Sequence, residues 1–221
     1  MAKKSKYPNL QEEKRLWKQG FVAIAGLDEA GRGPLAGPVI AAAVVFNPDP
    51  GWRKEIARLI SFGIKDSKKI SPQKREIICR EIKNSPAIKW GVGNVSARII
   101  DKINILEAAK LAMKKAVQDL GKKGIKTDFL IIDGNFFINL TIKQKPVVAG
   151  DQKVLSCAAA SIIAKVYRDR LMVRYGKAYP QYGFKKHKGY PTKAHCRALK
   201  KHGLSAIHRR SFYPCSAIER I

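Results

Sequence analysis

The stretch Gly26-Leu27-Asp28-Glu29-Ala30-Gly31-Arg32-Gly33-Pro34-Leu35-Ala36-Gly37-Pro38 constrains this chain more than any other. An apolar run at 21–25 precedes it and a second, 39–46, follows, so it reads as the connection between two buried strands. Two adjacent carboxylates at the end of an apolar strand are followed at once by a Gly-Arg-Gly turn. Carboxylates collect hard cations, while glycine-flanked amides and arginine collect phosphate and sugar oxygens. The combination predicts a metal-dependent site acting on a phosphodiester. The same residues also read as a surface turn capped by Asp28 and Glu29, with Arg32 paired to them.

Charge narrows the partner. The chain of 221 residues carries a formal net charge of +27, with 45% hydrophobic residues. That length and apolar content suffice for one substantial core. A surplus of cations this large favours a polyanion, because neutralising phosphates releases counterions. A generally basic proteome would add lysine as well. Nucleic acid stands ahead of an anionic membrane, since no single amphipathic basic helix carries the excess. The four cysteines, Cys79, Cys157, Cys196 and Cys215, form no C-x-x-C pair and read as reduced thiols. His195-Cys196 with His187, His202 and His208 suggests zinc, but the spacing fits no common zinc module. Residues 1–7 lack the apolar segment of a secretory signal, and no apolar run approaches membrane-spanning length. A cytoplasmic protein is expected.

Along the chain, 1–20 is a polar, Lys-rich lead with helical character over 9–18, and 21–221 reads as a single domain. Strands are predicted at 21–27, 39–46, 89–95, 128–133 and 141–148. Helices are predicted at 52–60, from Ser71-Pro72 to about Ile82, over 96–120 ending at Gly121, over 154–174 and over 192–201. The segment 65–69 reads as a polar loop, and 179–190 as an aromatic, Gly- and Lys-containing one. Interleaved strands and helices give an α/β architecture with a mostly helical last part, about 175–221.

Asp28, Glu29, Asp133 and Asp151 all fall at the ends of strand-like segments. Such ends gather at one sheet edge, where α/β folds build sites. Four carboxylates converging there would repel one another unless cations neutralised them. Two Mg²⁺ ions would do so, one activating a water and the other stabilising a leaving oxygen. Asp101, Asp119 and Asp128 lie in or beside helical patterns and read as solvated or capping residues.

Together with Asp66-Ser67-Lys68-Lys69, Ile103-Asn104-Ile105-Leu106, Ile132-Asp133-Gly134-Asn135 and Gly150-Asp151, the acidic stretch closely resembles bacterial ribonuclease HII. Ala158-Ala159-Ala160-Ser161-Ile162-Ile163-Ala164-Lys165-Val166, Tyr182-Gly183-Phe184, His187-Lys188-Gly189-Tyr190-Pro191-Thr192 and His208-Arg209-Arg210-Ser211-Phe212 extend the match from about Val22 to Pro214. The resemblance implies a ribonuclease H-like fold: a mixed β-sheet flanked by helices, with a helical C-terminal extension. It implies hydrolysis of the RNA strand of RNA–DNA hybrids, and incision 5′ of ribonucleotides embedded in duplex DNA, leaving 3′-hydroxyl and 5′-phosphate ends. By the same resemblance Asp28, Glu29, Asp133 and Asp151 are the catalytic, metal-binding set for two divalent ions, Mg²⁺ or Mn²⁺. Gly31, Arg32 and Gly33 contact the backbone and 2′-hydroxyl, Tyr190 senses the ribonucleotide–deoxyribonucleotide junction, and Lys68 touches substrate.

The chemistry agrees: the 2′-hydroxyl alone tells one ribonucleotide from its neighbours, so a discriminator must touch it. Against these roles, Tyr190 also reads as loop packing, Arg32 as an ion pair to Glu29 and Lys68 as a solvated lysine. His187 and His208 are candidate phosphate contacts without a catalytic claim. Asn104 and Asn135 read as satisfying backbone or turn positions. Val154, Cys157 and the excess of lysine depart from the common family pattern. Two rival readings remain: a nuclease of the same fold acting on branched or all-DNA substrates, and a non-catalytic basic nucleic-acid-binding protein. A monomer is the simplest expectation, and docking to a replication clamp is not legible.

Overall fold

The structure is a computed structural model and describes residues 7–64 and 70–218. Five strands form one mixed sheet in the order β3-β2-β1-β4-β5. They are β1 (Ile24–Ala30), β2 (Val39–Phe46), β3 (Ile88–Val95), β4 (Phe129–Asp133) and β5 (Lys143–Val147). The first three run antiparallel, while β1 pairs in parallel with β4, and β4 with β5.

β2 is buried along its whole length, which explains why it reads as a continuous apolar run and not as an alternating one. Its side chains still alternate between faces. Ile40, Ala42, Val44 and Phe46 pack with Ala158, Ala159 and Ile162 of α5 (Leu155–Ala178). Ala41, Ala43 and Val45 pack with Ala108, Ala112 and Met113 of α4 (Ala97–Lys122) on the other face. Each Val or Ile removed from water this way contributes roughly 1.5–3 kcal/mol relative to leaving it exposed. Helices α2 (Arg53–Ser61) and α3 (Pro72–Asn84) complete the α5 side, with Ser71 accepting a bond from Lys74 N–H as N-cap and Pro72 following it.

The polar lead is an integral part of this packing. Its helix α1 (Gln11–Trp17) buries Glu13 and Leu16. The Val154 side chain makes no N-cap bond at the start of α5. Glu13 Oε1 supplies one instead, accepting from Ser156 N–H at 2.9 Å and from its hydroxyl at 2.7 Å. An anion near free helix N–H groups satisfies donors that have no partner within the helix. Burial raises the Glu13 carboxyl pKa above its ordinary value even so.

Four expectations about elements need correction. The first strand begins at Ile24, not at Phe21, and continues through Asp28 and Glu29 to Ala30, because Asp28, Glu29 and Ala30 pair with Ala42, Ala41 and Ile40 of β2. The long helix is broken at Asn104, whose φ is 65° and whose Oδ1 accepts from Leu106 N–H and Glu107 N–H, starting a second helix. It then runs through Gly121 and turns at Gly124. Finally, α5 continues to Ala178, and the segment after it contains the short helix α6 (Phe184–His187).

Asp101, Asp119 and Asp128 each accept from backbone amides. Asp128 accepts from the amides of Val22 and Ala23, and Asp119 from that of Val92. Asp101 accepts from Arg210 N–H, Ser211 N–H and the Ser211 hydroxyl, tying the chain's end to α4. That end is mostly helical, with α7 (Lys193–His202) and α8 (Cys215–Ile218). It packs on Leu35, Ala36 and Met172 through Tyr182, Phe184 and Leu199.

Candidate active site

Register brings the carboxylates together. Leu27 pairs with Ile132 across the parallel β1–β4 ladder, so the next residues, Asp28 and Asp133, stand side by side where β4 and this ladder end. Asp133 Oδ1 accepts from Gly150 N–H at 2.7 Å, which pulls in the turn after β5 and with it Asp151. The approach of α5 depends on Gly26, where a Cβ would collide with the Ser156 side chain and the Cys157 backbone. Oxygens of Asp28, Asp133 and Asp151 consequently lie within 4.8 Å of one another.

Asp28 and Asp151 are buried, only 7% and 4% exposed. Burial first, then the charges of Glu29, Asp133 and Asp151, push the Asp28 carboxyl well above the usual carboxylate range. Crowded, desolvated oxygens of this kind fit a hard divalent cation, which replaces lost hydration and cancels the repulsion. The donor set therefore passes the chemical test for such an ion.

Glu29 is not one of the three. It follows Asp28 along the strand, and its charge is the strongest of the neighbouring charges that raise the Asp28 carboxyl pKa. Its Oε1 lies 3.4 Å from Arg32 Nη1, the ion pair that the bland reading anticipated. Of the four carboxylates expected to converge, the structure groups three, and Glu29 stands beside them.

The Gly-Arg-Gly turn forms a wall next to this floor. Gly31 has φ +103°, and a Cβ there would run into the Arg168 side chain and Pro38 O. The Arg32 side chain is about half exposed. Gly33 is open, and the nearest atom to a Cβ placed on it is Cε1 of Tyr190, at 4.0 Å. Tyr190 is itself 40% exposed, with Lys165 Nζ and Arg168 Cζ at 5.6 and 5.7 Å from its ring centroid. Gly31, Arg32, Gly33 and Tyr190 are therefore brought together beside the carboxylates. Lys68 lies outside the described residues.

Two residues that the sequence reasoning passed over hold the wall up. Arg209 is fully buried and donates to the carbonyls of Gly31 at 2.6 Å, Arg32 at 2.8 Å and Gly37 at 3.0 Å. Arg168, equally buried, donates to Pro38 O, Ala36 O and Lys188 O, each at 3.0 Å. Burial, and for Arg209 its neighbour Arg168, lowers both guanidinium pKa values, and all three nitrogens of each fork donate to backbone carbonyls. Nothing local marked either one, since an arginine on a helix or in a basic tail defaults to solvent.

The histidines correct another expectation. His208 is 2% exposed and His195 0%, so neither meets a phosphate in solvent. Both nitrogens of His187 are taken by backbone partners, Tyr182 O and Gly189 N–H. Among the described residues the only potential metal-ligand cluster is the aspartate triad, so the zinc reading gains no support.

A carboxylate cluster that fits a divalent cation, walled by a glycine–arginine turn, is the arrangement a metal-dependent phosphodiester hydrolase requires. The sequence profile of the ribonuclease HII family matches residues 25–215. A ribonuclease HII from Pelodictyon phaeoclathratiforme is 49% identical over 198 residues, covering 89% of this chain and 92% of the relative. The solved ribonuclease H2 of Pyrococcus horikoshii superposes with a TM-score of 0.69 at 28% identity, covering 89% of this chain and 97% of that one. The RNase HII in a PCNA:RNase HII complex from Archaeoglobus fulgidus superposes with a TM-score of 0.67 at 26% identity, covering 86% and 95%.

The chain belongs to the ribonuclease HII family. It is a type 2 ribonuclease H, an endoribonuclease acting on RNA–DNA hybrids with divalent-metal dependence. No helix among the described residues is long and apolar enough to cross a membrane.

Proposed function

We propose that this enzyme incises duplex DNA on the 5′ side of an embedded ribonucleotide, as well as the RNA strand of hybrids, leaving 3′-hydroxyl and 5′-phosphate ends. The observation that carries this reading is the apposition of Tyr190 Cε1 to the open face of Gly33, 4.0 Å from a Cβ position there. A sugar held between them has its 2′-position against backbone, where a hydroxyl fits because no Cβ intrudes. The next sugar meets the tyrosine ring, which an additional hydroxyl would displace. Recognition is then of a junction, ribose followed by deoxyribose.

Asp28, Asp133 and Asp151 are the ligands for two divalent ions, Mg²⁺ or Mn²⁺, with Glu29 completing the acidic set. When bound, these ions supply a water of lowered pKa and positive charge at the leaving 3′-oxygen. The chain's own groups do the rest. Arg32, about half exposed at the rim, draws the phosphate toward the carboxylates, and the amides of the turn face the sugar-phosphate backbone. Lys68 adds a cationic contact. The net charge of +27 supports salt-sensitive binding to duplexes and a fast first encounter. The reading completes with a cytoplasmic monomer, one catalytic domain over 21–221 whose helical part from about 175 forms the substrate wall.

The test is cleavage of a DNA duplex carrying one ribonucleotide, beside an all-DNA duplex and an RNA–DNA hybrid. The expected outcome is metal-dependent incision 5′ of the ribonucleotide and no cutting of all-DNA. Cutting of both duplexes would transfer the assignment to a nuclease that does not read the sugar. Tyr190→Ala is expected to lower preference for the junction over a continuous hybrid about tenfold while duplex affinity changes little. Equal preference in that variant would remove Tyr190 from the reading.

A further inference from the structure

Tyr190 has an exposed ring, so its placement rests on its backbone. Its carbonyl accepts from Thr192 N–H at 2.8 Å and lies 3.0 Å from His195 Nδ1. Behind it, His195 Nε2 lies 3.0 Å from His208 Nε2. On the far side of that ring, Ser205 N–H donates to His208 Nδ1 at 2.8 Å. The two imidazoles are buried against Phe184 and, for His208, Tyr182.

Proton positions follow from this order of partners. A neutral imidazole has one donor and one acceptor nitrogen. The Ser205 hydroxyl, also 2.8 Å from His208 Nδ1, can donate or accept, but the backbone N–H can only donate, which assigns Nδ1 as the acceptor and the proton to Nε2. That proton points at His195 Nε2, which must then accept. The His195 proton is left on Nδ1, aimed at the Tyr190 carbonyl. A proton on the wrong nitrogen of His195 would set two N–H groups head to head at 3.0 Å and a lone pair against the carbonyl oxygen. Both rings stay neutral, because burial and, for each, a neighbouring histidine push their pKa values down to about 4.

A third ring fixes the loop from the other side. Gly189 N–H donates to His187 Nδ1 at 3.2 Å, so His187 Nε2 carries its proton and gives it to Tyr182 O at 2.7 Å. His187 lies stacked on His195, centroids 4.5 Å apart. Gly189 O in turn accepts from Leu35 N–H, two residues past Gly33.

The geometry points to a one-way hydrogen-bond relay, Ser205 to His208 to His195 to Tyr190, in which His208 and His195 are positioning residues that set where the junction-reading tyrosine stands against Gly33. It rests on the role proposed above for Tyr190, and its chemistry is testable without that role. The relay holds the 190 peptide in one orientation. A purely packing role for these rings would leave both tautomers acceptable, and the network permits one.

The experiment is a long-range ¹H–¹⁵N correlation spectrum of histidine-labelled enzyme at neutral pH, followed by cleavage assays on two variants. Expected are an Nδ1–H tautomer for His195 and Nε2–H tautomers for His208 and His187. An Nε2–H His195 in the wild-type protein would overturn the relay outright. In His208→Leu the donor to His195 Nε2 is gone while Nδ1–H keeps the Tyr190 carbonyl, so the Nε2 nitrogen resonance is expected to move to that of a bare acceptor and the junction preference to fall about fivefold, the equivalent of one buried hydrogen bond. His208→Gln retains an N–H at the same end of the side chain and is expected to restore both the resonance and the preference. Unchanged preference in a folded His208→Leu, with Tyr190→Ala still showing its loss, would refute the positioning role. If Tyr190→Ala keeps its preference while the tautomers are as stated, the reading of Tyr190 fails and the relay stands.

Discussion

The carboxylate floor and the wall that faces it are built by opposite means. The floor is sheet register: a single parallel ladder puts Asp28 beside Asp133, and one amide bond to Asp133 brings in Asp151. The wall is loops, and its shape comes from buried cations and imidazoles that reach across the chain to backbone carbonyls. A floor of this kind is rigid before any ligand arrives, but it stores repulsion between acids. The wall holds two buried guanidiniums, Arg168 lowering the pKa of Arg209, and its backbone depends on donors contributed by distant elements. Chemistry therefore sits on strands, and sugar reading on a supported loop, consistent with the greater geometric precision of strand-borne sites.

The largest expected effect strikes the floor. Asp28→Asn or Asp133→Asn should lower cleavage by roughly 10³-fold or more while hybrid affinity survives or rises, since repulsion at the phosphate is relieved. Near-normal turnover in either variant, read by single-turnover kinetics, would show that the floor is not where the chemistry occurs.

A blow to the wall's support comes next. Arg209→Met strands the carbonyls of Gly31, Arg32 and Gly37, and charged hydrogen bonds are worth about 1.5–3 kcal/mol each. A loss of about 3 kcal/mol in chemical denaturation is expected, with a rise in KM for the single-ribonucleotide duplex. A variant as stable as wild type would mean that the turn holds itself.

Acid separates the two regions by sign. His195 and His208 have folded values near 4, below their ordinary 6.5. Between those limits the unfolded chain takes up protons that the folded chain refuses, so their contribution to stability falls as pH drops from 6.5 towards 4 and is intact above 6.5. Asp28 and Glu13, whose values are raised, work the other way, because acid relieves their burial. Thermal melts of wild type and a His195→Asn, His208→Gln double variant across this range isolate the histidine part. Parallel curves would show that the rings take up protons in the folded enzyme as readily as in the unfolded chain.

The smallest effect belongs to the pair that joins the regions. Arg32 and Glu29 meet at 3.4 Å with the arginine half exposed, so Arg32→Ala should change stability by no more than about 0.5 kcal/mol. Its expected cost lies in KM, and a stability loss as large as that of Arg209→Met would erase the distinction between a rim cation and a buried support.

Much of the floor was legible from residue order alone. Apolar runs ending in acids announced β1 and β4, and the small residues of α5 announced its close approach to the sheet. The sequence reads Asp28 and Glu29 as following the strand, and only pairing with Ala42 and Ala41 shows that both are inside β1. The helix break at Asn104 was hidden by an apolar pattern that continues across it.

By itself, the sequence determined the strands, the acids at their ends, the small-residue helix and the excess of positive charge. These are local patterns, carried by neighbours in the chain. Only the tertiary structure decided that three of the aspartates form one cluster, that Arg168 and Arg209 are buried and that His208 and His195 connect Ser205 to the Tyr190 carbonyl. The reason is separation: Arg168 bonds a carbonyl 130 positions away and Arg209 one 178 positions away. No local periodicity encodes a partner at that distance; folding creates the partnership when it removes both groups from water.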